Sequence, residues 1–160
     1  MFTGSTLSAA PALPTNCSLK KETFGFFFEN CDNLSSIGSP MMTITGLSNI
    51  TASNDPALGN IFTDMNNFNQ EELVVALSGI ADYPNYSLGD VFRGNTSFTG
   101  KFIFDMTSYT TVPTIQSSTF NSNTKPANGT FEIRVPASLY DTWKNATNWT
   151  TWSSYIVPVS

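Results

Sequence analysis

The side chains of this chain that could do acid–base chemistry are its carboxylates, because it contains no histidine. That gap removes the usual general base, the Ser–His and Cys–His nucleophilic dyads, and the commonest metal ligand together. What is left is the two-carboxylate chemistry of glycoside hydrolysis, for which Asp82 with Asp90, or Glu71 with Glu72, are the available pairs. Adjacent glutamates point apart on a helix or a strand. No sequence pattern places Asp82 and Asp90 in one cleft, so the expectation is a protein that is not an enzyme.

Oxygen ligands for Ca²⁺ could come from Asp82 and Asp90, Asp64 and Asn66, or Asn54 and Asp55, but none of these falls in a dense acidic loop. Asp and Asn side chains bond to nearby backbone, so solvated turn positions are the better reading. Gly59-Asn60, Gly94-Asn95 and Asn128-Gly129 read as turns and not as phosphate cradles. No cofactor and no metal is expected. Cys17 and Cys31 are too few for a disulfide framework and read as small buried thiols. Sequons at Asn16, Asn33, Asn49, Asn85, Asn95, Asn128, Asn145 and Asn148 follow from a composition rich in Asn, Ser and Thr.

The elements that must position these residues belong to one domain, since 160 residues can bury roughly 70% of the surface of the unfolded chain. The net charge of −5 with seven Lys and Arg excludes a clustered basic face and hence a nucleic-acid partner. Charged residues make up only 12% of the chain, which predicts a polar but weakly ionised surface. No run of eighteen apolar residues occurs, so no membrane insertion is expected. The opening MFTGSTLSAAPALPTNCSLKK shows neither a basic n-region nor a continuous apolar h-region, so no secretory signal is read there.

Three segments share one spacing: FENCDNL, IFTDMNNF and VFRGNTSF. They place Phe28/Cys31/Leu34, Phe62/Met65/Phe68 and Phe92/Asn95/Phe98 in equivalent positions, with a degenerate fourth copy at Phe120 and Asn123. The Phe anchors lie 34, 30 and 28 residues apart, a drift that suits irregular repeats with insertions on one face. Between the anchors, strands of four or five residues are expected near Met42–Ile44, Leu73–Leu77, Lys101–Phe104 and Phe131–Val135. LVVAL, apolar throughout, predicts burial on both faces, whereas KFIF and FEIRV alternate and predict one solvent face. A helical turn is expected at Glu71–Leu73, and a helix from about Ser138 carrying Leu139, Trp143 and Ala146 on one side.

Two stretches carry a family resemblance. LSAAPALP leading to FGFFFENCDNLSSI, and IRVPASLYDTWKNATNWTTWSSYI, resemble the units of BspA-like leucine-rich repeat proteins, a family found on bacterial and protist surfaces and encoded by many phages. About two thirds of the chain is covered, and residues 38–90 fit poorly. The resemblance implies a mainly β fold, an irregular leucine-rich-repeat solenoid of short parallel strands with a short C-terminal capping helix. It divides residues 1–160 into an N-terminal repeat and cap (1–37), irregular middle repeats (38–130) and a C-terminal capping repeat (131–160).

Stacked repeats predict a shared core of Phe28, Cys31, Leu34, Phe62, Met65, Phe68, Phe92, Phe98 and Phe120, closed at the C-terminal end by Trp143, Trp149 and Trp152. The function expected from this is structural or adhesive: a bacteriophage virion surface component, either a capsid decoration protein or part of a fibre. Its partners would be capsid or other virion subunits, with weak glycan binding on the outward face and self-association left open. The alternative is a secreted or cell-surface adhesin module that binds host protein or glycan.

Overall fold

The structure is a computed structural model that describes residues 6–10, 17–19, 27–38, 42–47, 58–64, 67–89, 91, 99–120, 126 and 129–160. Ten short strands occur among them: β1 (Ala9–Ala10), β2 (Cys17–Leu19), β3 (Ser36–Ile37), β4 (Met42–Leu47), β5 (Leu73–Leu77), β6 (Asp82–Tyr83), β7 (Phe102–Asp105), β8 (Thr114–Ile115), β9 (Phe131–Pro136) and β10 (Ile156–Val159). A 3₁₀ segment, Ala137–Leu139, runs into the short helix α1 (Tyr140–Asn145), and a second, Trp149–Tyr155, precedes β10. The fold is mainly sheet with a short C-terminal helix.

β2, β4, β5, β7, β9 and β10 form a six-stranded sheet in which neighbours follow chain order and every pair is parallel. A parallel neighbour can be reached only by a crossover, so after each strand the chain must travel back to the starting end. The return paths also pair with one another. β1 lies parallel to β3 and β6 parallel to β8. A backbone ladder joins successive turns, with Phe28 N–H donating to Ile61 O at 3.0 Å, Asn30 N–H to Thr63 O at 3.0 Å, Phe62 N–H to Val91 O at 3.3 Å and Leu88 N–H to Thr119 O at 3.0 Å. Asn30 and Asp64, at matching places in this ladder, both have positive φ (55° and 56°), a conformation Asn and Asp tolerate better than most residues.

β-branched and aromatic residues suit these pleated positions, and their alternation sets the inner face. Leu73, Val75 and Leu77 point inward with Phe131, Ile133 and Val135. The register aligns Leu73, Phe102 and Phe131 across three strands. Inside, Phe28 stacks on Phe62 (centroids 6.2 Å apart, 6° between planes), Phe62 on Phe102 (4.8 Å) and Phe102 on Phe68 (5.7 Å).

The expected face assignments of two strands are corrected by the structure. LVVAL is not buried on both faces, since Val74 and Ala76 are half-covered. KFIF does not alternate, because Phe102, Ile103 and Phe104 are all buried. The residues concerned lie on the outer face of the sheet. There Ile103 lies between Val74 and Glu132, and Arg134 reaches from β9 to Glu72 just before β5, a diagonal that crosses β7 at Ile103. Lys101 and Arg134 both bind Glu132, at 2.7 and 3.1 Å. Long charged side chains can cover apolar surface beside them with their stems while keeping their heads in water, and Ile103 stands within this network.

Local assignments differ as well. Glu71–Leu73 form no helical turn, because Leu73 N–H is taken by Lys101 O (2.8 Å) in the sheet ladder. α1 begins at Tyr140, two residues later than expected, with the first turn tightened to 3₁₀ and no side-chain cap on either segment. Residues 42–47, in the stretch lacking a legible repeat frame, form a strand whose Met42–Ile44 pair with β5 and whose later residues pair with β2 across a register shift.

Candidate functional site

A recess of about 460 Å³ opens where the chain leaves β5 and β7, walled by residues 79–82 on one side and 108–114 on the other. Its first wall is fixed at Ser78, whose N–H donates to Ile44 O at 2.8 Å, and at Gly79, which has φ +67°. A Cβ on Gly79 would lie 2.8 Å from the Thr45 carbonyl oxygen, so this turn accepts no larger residue without moving. The wall then pairs with the other: Thr114 N–H donates to Ala81 O at 2.8 Å, and the Thr114 hydroxyl bonds to the Asp82 carboxylate. The second wall starts in a turn closed by Asp105, whose Oδ1 accepts from Thr107 N–H (3.0 Å) and Oγ1 (2.7 Å).

Tyr109, in the second wall, reaches across to the first. Its hydroxyl lies 2.8 Å from that of Tyr83 and accepts from Ile80 N–H at 3.3 Å, and its ring meets Trp143 edge-on at 5.8 Å. Because the hydroxyl is engaged inside, what Tyr109 presents to the recess is ring carbon. Burial pushes the Tyr83 phenol well above the ordinary tyrosine range, and the neighbouring Tyr109 pushes it the same way. Burial also raises Tyr109, against the opposing pull of the hydrogen bonds it shares with Tyr83 and Ile80. Both phenols therefore remain neutral across the physiological range.

Asp82 is exposed, and among the described residues it is the carboxylate that lines the recess. It stands in β6 and bonds across to Thr114, which differs from the solvated turn expected for it. Its proposed partner Asp90 lies outside the described residues, as do Asn54, Asp55 and Asn66. Glu71 is exposed while Glu72 is tied to Arg134 at 2.5 Å, so these two do not converge. Among the described residues no group of three or more His, Cys, Asp or Glu could hold a metal ion.

The expected core residues fall as follows. Phe28, Cys31, Leu34, Phe62, Phe68 and Phe120 are buried, and Met65, Phe92 and Phe98 lie outside the described residues. Phe120 enters the core out of the expected frame, since the Leu88–Thr119 bond sets it beside Leu88. Cys31 is buried in that core, and the side chain of Cys17 is outside the described residues. Trp143, Trp149 and Trp152 are buried, Trp143 against Trp149, and Trp149 and Trp152 each against Phe120. Trp149 Nε1 donates to Pro113 O at 2.8 Å and Asn148 Nδ2 to Ile115 O at 2.7 Å, so the tryptophan segment also fixes the base of the second wall.

Sequence reasoning missed Gly79, Tyr83, Tyr109 and Thr114. Nothing local marks the tyrosines, whose meeting depends on the strand register. The Glu132-x-Arg134 pair was the one readable signal of the outer ion network, since alternation with Phe131, Ile133 and Val135 sends both charges outward. No protein-family model, curated protein or solved structure matches this chain.

Proposed function

We propose that this chain is a non-catalytic binding and display protein, built as an irregular leucine-rich-repeat solenoid of the BspA-like kind and carried on the surface of a bacteriophage virion. The observation that supports this most is the chain-order parallel stacking. Strands, short return pairs and turns each bond to their counterparts in the next pass, which is how repeat proteins turn weakly self-sufficient units into one core. Such a body is a scaffold for surface rather than a cleft for chemistry. A chain with few charges and many hydroxyl and amide side chains also suits contact with other protein subunits through shape and hydrogen bonds.

A secreted or cell-surface adhesin module is the second reading, favoured by the recess itself, which is ligand-sized and open. Immunogold labelling with antibody to the purified chain separates the two. Gold on intact phage particles supports the first reading, and gold confined to cell envelopes replaces it with the second.

A further inference from the structure

We infer that the recess between residues 79–82 and 108–114 is a binding site for a neutral carbohydrate, with Asp82 as the orienting acceptor and Tyr109 as the apolar platform. The inference deepens the proposed binding role and rests on it. Four properties of the site select this ligand class. The first is size, since about 460 Å³ falls within the roughly 300–1,000 Å³ of small-molecule sites. The second is charge: no Lys or Arg is among the described lining residues, so nothing there would compensate a phosphate, sulfate or carboxylate on a ligand.

The third is hydrogen-bonding capacity. Asp82 Oδ1 is occupied by Thr114, while Oδ2 has no partner among the described residues. Exposed hydroxyls of Ser108, Thr110 and Thr111 line the same recess and can each donate and accept. A row of groups that mix donors and acceptors fits a polyhydroxylated ligand better than an amine, which only donates, or an anion, which only accepts. The fourth is the carbon surface. Ile80, Val112, Pro113 and the Tyr109 ring give the recess an apolar floor, and a sugar ring offers a matching face of C–H groups.

The floor is also rigid. Tyr109 is held by Tyr83, Ile80 and Trp143, and Pro113 by Trp149, so little ordering is needed when a ligand arrives. Asp82 acts here as a binding residue, and among the described residues no second carboxylate lines the recess.

The test uses the purified full chain with the methyl glycosides of glucose, galactose, mannose and N-acetylglucosamine, read by saturation-transfer NMR and by amide shifts of the labelled protein. The expected result is binding by at least one of them, with shifts centred on Tyr109 and Thr111. Asp82→Ala should raise its Kd by about tenfold, the loss expected for a hydrogen bond to a charged group. Thr110→Arg should block the recess, and Asp141→Asn on α1 should change nothing. Absence of binding by all four, shifts that map elsewhere, or an unchanged Kd in both Asp82→Ala and Thr110→Arg would overturn the inference. Selective binding of putrescine in their place would overturn it as well, in favour of an amine site. Because the readout is made on the isolated chain, its failure leaves the particle-labelling result standing, and a failed labelling result leaves this one standing.

Discussion

Arg134 Nη2 donates to Glu72 Oε1 at 2.5 Å from two strands away, and the pair passes over Ile103, which is only 1% exposed. The contact joins three passes of the chain on the outer face of the sheet. Both ends remain partly open to water, Arg134 at 27% and Glu72 at 40%, so screening limits what the ion pair alone contributes. Arg134→Ala should cost about 1 kcal/mol in urea unfolding, more than Glu72→Gln, because it removes the stem beside Ile103 as well as the charge.

Glu132 supplies a pH dependence of known sign. Its partial burial would raise the carboxyl pKa, but the hydrogen bonds and charges of Lys101 and Arg134 outweigh that and hold it below the ordinary glutamate value of 4.5. A carboxylate with a depressed folded-state pKa stabilises the fold above its unfolded pKa and loses that contribution as pH falls through the folded value. The stability of the wild type should therefore decline more steeply than that of Glu132→Gln as pH drops below about 4.5 in urea titrations.

The tyrosine pair acts at the other end of the scale. Burial raises the Tyr83 and Tyr109 phenols above 10.0 in the fold, so neutral tyrosine is favoured there and the unfolded chain ionises first. Their contribution is complete below the unfolded pKa and is lost as pH rises through the folded values. Tyr83→Phe should flatten the alkaline fall in stability. Tyr109→Phe should cost about 1–2 kcal/mol near neutral pH, since the buried Tyr83 hydroxyl and Ile80 N–H lose their partner.

Phe62 stacks between Phe28 and Phe102, so its loss is felt in three passes. Phe62→Ala should destabilise by about 3–5 kcal/mol, whereas Phe62→Leu should cost about 1 kcal/mol because most of the volume is kept. Denaturant midpoints at constant slope distinguish the two.

Gly79 and Gly129 both have positive φ, yet their surroundings differ. A Cβ at Gly79 meets the Thr45 carbonyl at 2.8 Å, and one at Gly129 meets nothing within 4 Å. Gly129→Ala should cost about 1 kcal/mol for the backbone alone. Gly79→Ala should cost more, and thermal unfolding of the two variants side by side reads the difference.

The strands were the most legible part of the sequence, because β-branched and aromatic runs bounded by Gly, Asn and Pro carry their own signal, as at Leu73–Leu77 and Phe131–Pro136. Which face is covered was less legible. Ile103 is buried although it stands on the outer face beside the Lys101, Glu132 and Arg134 network, and no period within KFIF records that network. The anchors Phe28 and Phe62 were readable from spacing, but Phe120 joins the core beside Leu88, a frame that only the ladder of turns reveals. The recess was not legible at all. Its parts, Gly79, Asp82, Tyr109 and Thr114, are ordinary turn and strand residues until the pairing of β6 with β8 sets them together.

The measurement that bears most directly on the proposed role is density-gradient fractionation of native source material, with this chain quantified by mass spectrometry across the fractions. The account predicts that it bands with intact particles at a fixed ratio to a major capsid protein. Banding with cell envelope, or persistence in the soluble fraction without particles, would contradict it.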